Sequence, residues 1–137
     1  GASLMHSLAR WSSPMGSGGA VSSAAYTRVD IPCHDLPPAY FLDNVLVRLQ
    51  GCANIVDLVN FRLTDDVGGL YPVTANVATA AVAYGQGSTS VGTVLYTSPL
   101  VLSARMLFAW VQCDPAGSTA SSVQVGLNWR PLPGLQQ

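Results

Sequence analysis

Residues 100–113 read Leu-Val-Leu-Ser-Ala-Arg-Met-Leu-Phe-Ala-Trp-Val-Gln-Cys, and residues 122–130 read Ser-Val-Gln-Val-Gly-Leu-Asn-Trp-Arg. In the second stretch Val123, Val125, Leu127 and Trp129 alternate with Gln124, Gly126, Asn128 and Arg130. A period of two is what a strand shows when one face is buried and the other is wet. The first stretch is apolar on both faces, which suits a strand in the middle of a packed sheet. Between them, Asp114-Pro115-Ala116-Gly117-Ser118-Thr119 carries residues that reverse a chain. The two stretches are expected to pair as a β-hairpin, and they set the class as all-β.

Strand patterns continue upstream. Alternation over 24–31 stops at Pro32; 40–50 and 54–64 flank the tight Gln50-Gly51-Cys52-Ala53; 72–84 is a long run of Val, Thr and Ala; 90–96 follows a Gly/Ser turn. With 100–113 and 122–130 this makes about seven strands separated by Gly, Pro and Asp. Such spacing predicts an antiparallel β-sandwich, jelly-roll-like, spanning residues 23–130. Residues 1–22 include Ser12-Ser13-Pro14-Met15-Gly16-Ser17-Gly18-Gly19, a composition that reads as a flexible N-terminal arm. Its apolar residues Leu4, Met5, Leu8 and Trp11 need something to cover them. Residues 131–137, with Leu132 and Leu135, read as a second, C-terminal arm.

Composition narrows the function. Hydrophobic residues make up 49% of the 137 and charged residues 9%, against about 25% in an average domain. Every cation is Arg and every anion Asp, which argues against long solvated helices that draw on Lys and Glu. A net charge of −1, spread evenly, offers no field for nucleic acid or an anionic membrane. No apolar run approaches the roughly 20 residues needed to span a bilayer. The opening Gly1-Ala2-Ser3-Leu4-Met5-His6 has no hydrophobic signal core or basic leader, so no export segment is expected. A surface so poor in charge favours coverage by copies of itself or by a partner.

Chemistry-bearing residues are few. Cys33, Cys52 and Cys113 lack metal-site or disulfide-framework spacing and read as small buried hydrophobes. Cys33-His34-Asp35 holds the residue types of a nucleophilic triad, but neighbouring side chains on an extended chain point to opposite sides. Asp65-Asp66 beside Gly68-Gly69 offers oxygen ligands of the kind calcium takes, without the alternation of an EF-hand, and Asp57 and Asp43-Asn44 add to it only if the fold brings them near. Asp and Gly are equally ordinary turn residues. Trp110 and Trp129 lie in the best strands, where burial is expected; the loop residues Tyr71 and Tyr84 are the better candidates to stack on a ligand. Neither an enzyme nor a cofactor is expected.

The Gly/Ala/Ser/Thr/Val-rich strand Val73-Thr74-Ala75-Asn76-Val77-Ala78-Thr79-Ala80, the Asp114-Pro115-Ala116-Gly117 turn and the arms together resemble small bacteriophage virion proteins: capsid decoration, spike or single-jelly-roll coat proteins. That resemblance implies a structural protein of the virion, assembled as a homo-oligomer, trimer favoured, on capsid or other virion proteins. Leu4, Met5, Leu8, Trp11, Leu132 and Leu135 would then be arm contacts. The other expectation is a carbohydrate-binding or receptor-binding β-sandwich module.

Overall fold

The computed structural model describes residues 14–53, 58–70, 73, 78–81, 90–114 and 116–132. Ten strands occur among them: β1 (Met15–Gly18), β2 (Val21–Ser22), β3 (Thr27–Pro32), β4 (Tyr40–Gln50), β5 (Leu58–Thr64), β6 (Ala78–Ala81), β7 (Ser90–Leu102), β8 (Met106–Asp114), β9 (Thr119–Ala120) and β10 (Ser122–Pro131). None of the described residues is helical, so none forms a helix long and apolar enough to cross a membrane.

Two four-stranded sheets, in the orders β1-β10-β4-β7 and β3-β8-β5-β6, are joined by the short pair β2-β9. Every pairing is antiparallel. Apart from the β5–β6 pair, each successive long strand lies in the sheet opposite its predecessor. This is an eight-stranded jelly roll with a small clasp at one end. Tyr40, Leu42, Val45, Val47, Leu49, Val123, Val125 and Leu127 from the first sheet meet Val29, Ile31, Val59, Phe61, Leu63, Leu107, Ala109 and Val111 from the second. Fully burying one such large aliphatic or aromatic side chain stabilises by about 1.5–3 kcal/mol, so these facing rows hold the sheets together.

The expected hairpin does not form. β8 lies between β3 and β5, whereas β10 lies in the other sheet between β1 and β4. Nor is 100–113 one strand: residues 100–102 complete β7, and the chain breaks before β8 starts at Met106. At that break Arg105 donates through Nη1 to the Leu36 carbonyl at 2.9 Å and through Nη2 to that of Pro37 at 2.7 Å. Tyr40 Oη donates to the Ala104 carbonyl at 2.9 Å. These bonds anchor the turn that carries the chain from one sheet to the other.

Of the expected N-terminal arm, residues 14–22 are described, and strands within them join the sandwich. Within residues 1–22, Met15–Gly18 is the first strand of the jelly roll and pairs with β10, while Val21–Ser22 pairs with β9. A Cβ on Gly16 would lie 2.2 Å from the Asp30 carbonyl oxygen, and one on Gly18 3.2 Å from Val123 and 3.3 Å from Val29. The glycines that read as flexible let β1 of one sheet close against β3 of the other. At the far end Pro131 belongs to β10 and pairs with Tyr40, so the C-terminal segment starts one residue later, at the half-buried Leu132. Of the expected strands 54–64 and 72–84, the described parts include β5 and β6.

Candidate binding face

The alternation of β4 breaks at Asp43. Leu42 and Val45 both face the core, with Asp43 and Asn44 between them. Against β10, Asn128 pairs with Asn44 but Trp129 pairs with Leu42; against β7, Leu42 pairs with Leu100 but Asn44 pairs with Leu95. The extra residue makes a bulge, which re-aims the side chains around it. Asp43 and Asn44 consequently lie together on the outer face of the β1-β10-β4-β7 sheet.

There they meet Arg130 and Asn128. The Arg130 Nε donates to Asp43 Oδ2 at 2.7 Å and its Nη2 to Oδ1 at 2.9 Å, and the guanidinium carbon stands 4.6 Å from the centroid of the Phe41 ring. The hydrogen bonds that Arg130 donates to Asp43 push the guanidinium pKa above its ordinary value, outweighing partial burial, so Arg130 is charged at any working pH. Beside this cluster Asn128 Nδ2 donates to Asn44 Oδ1. Asn128 is only 5% exposed, and its Oδ1 is buried without a partner. Phe41 pairs on its other side with Val101 of β7.

The opposite outer face is knitted to itself. Arg28 pairs with Asp30 at 2.9 Å and lies 5.7 Å from the Phe108 centroid. Asn60 Nδ2 donates to Gln112 Oε1, and Gln112 Nε2 to the Ser23 carbonyl, each at 3.0 Å. Trp110, expected in the core, stands half-buried on this face, its Nε1 donating to Thr64 Oγ1 at 3.0 Å. Gly69 packs against its ring, where a Cβ would come within 2.7 Å. Arg62 Nε is buried there without a partner, but both amides of this face are bonded to each other or to backbone. Trp129 packs against the core from the first sheet.

Several residues expected at a site, namely Leu4, Met5, Leu8, Trp11, Leu135, Tyr71, Tyr84 and Asp57, lie outside the described residues. Asp65 is exposed. Asp66 organises its own loop: Oδ2 accepts from the Leu70 N–H at 2.9 Å, and its carbonyl accepts from Thr64 Oγ1 and the Gly69 N–H. Asp43, the other calcium candidate, is committed to Arg130. Among the described residues no three His, Cys, Asp or Glu side chains converge as a metal group would. Cys33, Cys52 and Cys113 are buried and form no disulfide, while His34 and Asp35 are exposed. Burial raises the Cys33 thiol pKa and, with Cys52 nearby, lifts that of Cys113 to about 11. The sequence signal for the Asp43 cluster was the polar pair interrupting an apolar strand.

No protein-family description matches the chain, and no curated protein matches it either. Among solved structures, a cellulose-specific carbohydrate-binding module, CBM28, is similar at 15% identity and a TM-score of 0.46, over 85% of this chain and 72% of that one. A CBM36 module in complex with calcium and xylotriose is similar at 14% identity and a TM-score of 0.41, over 81% and 87%. A Bacillus thuringiensis Cry1Da tryptic core variant scores 0.39 at 14% identity over 83% of this chain, which spans 17% of the length of that core. Carbohydrate-binding modules recur among these neighbours. All three scores fall below 0.5, too distant a likeness to assign a ligand.

Proposed function

We propose that this chain is a non-catalytic β-sandwich module that binds carbohydrate on the outer face of the β1-β10-β4-β7 sheet. The observation that carries the reading is the row of planar polar groups set beside a ring: the Asn44 amide, then Asp43 and Arg130, then Phe41. A sugar presents hydroxyls that both donate and accept, and an apolar C–H face. Amide, carboxylate and guanidinium groups match the first, and an aromatic ring with an aliphatic neighbour matches the second. The carboxylate here is already held by two charge-assisted bonds, which suits positioning better than proton transfer.

The test is titration calorimetry of the folded protein against cellohexaose, xylohexaose and an acidic oligosaccharide. Saturable binding that weakens at least tenfold in Arg130→Ala and Phe41→Ala supports the reading. Absence of heat with every saccharide overturns it.

A second reading, the virion building block assembling as a homo-oligomer, is favoured by a different observation. Val67, Leu70 and Val101 are 57%, 69% and 58% exposed on a chain with only 9% charged residues, a surface better suited to being covered than to standing free. Light scattering on the whole chain and on one lacking residues 1–13 tests it. The deletion must stop short of β1, because losing that strand would unmake the sheet. A concentration-independent monomer would count against it.

A further inference from the structure

We infer that residues 1–13 fold back across the outer face of the β1-β10-β4-β7 sheet and cover it at Leu46, Gly126 and Asn128, as a strap supplied by the same copy of the chain. The inference stands apart from the carbohydrate reading, whose Arg130 and Phe41 lie with Val101 beyond the covered rows.

Two neighbouring strands lose their alternation at the same place. In β4, Val45 and Val47 face the core and Leu46 points outward between them, yet Leu46 is only 6% exposed. In β10, Val125 and Leu127 face the core, and the outward Gly126 and Asn128 are buried as well. Leu46 pairs with Gly126, and Asn44 with Asn128, so the buried outward positions form one patch. Gly126 gives Leu46 no side chain to shelter behind. β8, equally interior to the other sheet, shows an outer face without such cover: its outward Met106, Phe108, Trp110 and Gln112 all keep some exposure while the residues between them are buried. Where that sheet does bury an outward residue, Thr64, the cover is visible, because Trp110 Nε1 donates to its hydroxyl and the hydroxyl donates to the Asp66 carbonyl.

The cover comes from this chain, since Leu46 and Asn128 are already buried in a single copy. Every described strand lies in one of the two sheets or in the β2-β9 clasp, so none forms a third layer here. Residues 54–57 and 82–89 connect one sheet to the other, and 71–77 join β5 to β6 in the second. Residues 133–137 follow β10 at its Phe41 end and bring one large apolar residue, Leu135. Residues 1–13 bring four, Leu4, Met5, Leu8 and Trp11, and they join the fold beside the patch: the Leu127 N–H donates to the Pro14 carbonyl at 3.2 Å, and Met15 pairs with Gly126. Adjacent strands stand about 4.8 Å apart, which puts β4 roughly 10 Å from β1, a span that about three extended residues cover. Trp11 precedes Pro14 by that interval and is the first large side chain able to reach Leu46.

The experiment uses the full chain and measures urea midpoints, fluorescence of the dye ANS, and light scattering at two concentrations. Five proteins are compared: wild type, Leu46→Asp, Val101→Asp, the double variant Leu8→Ser with Trp11→Ser, and that double variant with Leu46→Asp added. Under the strap Leu46→Asp buries a charge and lowers the urea midpoint, whereas the same change at Val101, 58% exposed, leaves it nearly unmoved. The double variant should keep a cooperative urea transition while ANS fluorescence rises about twofold or more as the patch is uncovered. Adding Leu46→Asp to it should lower the midpoint no further, because position 46 then faces water. Unchanged ANS fluorescence in the double variant, or the full Leu46→Asp loss repeated on top of it, overturns the inference. So does an oligomer that dissociates in the double variant, which would place the segment on a neighbouring copy.

Discussion

Arg130 grips Asp43 with two hydrogen bonds of 2.7 and 2.9 Å at the point where β4 bulges. The pair is partly exposed, so water weakens it; even a bidentate arrangement in such a place is worth about 1 kcal/mol. Asp43→Asn should lower unfolding free energy by about that much in urea, with the m-value unchanged, and the loss should shrink in 1 M salt. Arg130→Lys should behave the same way, since an ammonium cannot keep both bonds and the Phe41 contact at once. An unchanged urea midpoint in both variants would mean that the pair adds nothing to the fold.

Gly16 and Gly19 make a matched contrast. A Cβ on Gly16 would meet the Asp30 carbonyl oxygen at 2.2 Å, whereas nothing lies within 4 Å of one on Gly19. Gly16→Ala should therefore cost about 1–3 kcal/mol by forcing the two sheets apart at their β1–β3 edge, and Gly19→Ala should be nearly neutral. Equal melting temperatures for the two variants would contradict the close approach.

The loop over Trp110 offers a second contrast. Gly69 has φ of +72° and presses on the indole, where a Cβ would come within 2.7 Å; Gly117 has φ of +87° with open space around it. Gly117→Ala should cost only the left-handed backbone penalty, about 1–2 kcal/mol. Gly69→Ala pays that and must also lift the loop, so it should be the more damaging and should shift the tryptophan emission to longer wavelength.

The buried thiols predict a stability that fades at high pH. Burial and the nearby Cys52 lift the Cys113 thiol from its ordinary 9.0 to about 11. Below pH 9 the thiol is protonated in both folded and unfolded chains, and its contribution is complete. Between about pH 9 and 11 the unfolded chain ionises first and gains, so stability is lost across that window. Cys33 shifts in the same direction through burial. Urea midpoints at pH 8 and pH 10.5 should differ more in wild type than in Cys113→Ala; parallel slopes would show that the thiol is not held back.

Much of the fold was legible from local pattern. The alternation Val123, Val125, Leu127, the run 40–50 and the breakers between strands follow from a period of two and from turn chemistry, both of which act over a few residues. The burial of the three cysteines was equally readable, because no charge or spacing pulled them elsewhere. The site was not. Asp43-Asn44 appeared only as a polar interruption and a distant calcium option, since a bulge is a disagreement of register among three strands and only β10 and β7 reveal it.

The chain's own order of residues determined that it would form strands, where turns would interrupt them, and that charge would be sparse at its surface. Tertiary structure alone decided which strands are neighbours. A period of two states the face but not the partner, so β8 and β10 fell in opposite sheets; a glycine's role depends on what approaches it, so Gly16 became a sheet contact; and an amide is satisfied or left open only by what packs beside it, so the bond from Asn128 to Asn44 could be seen only once β10 lay against β4.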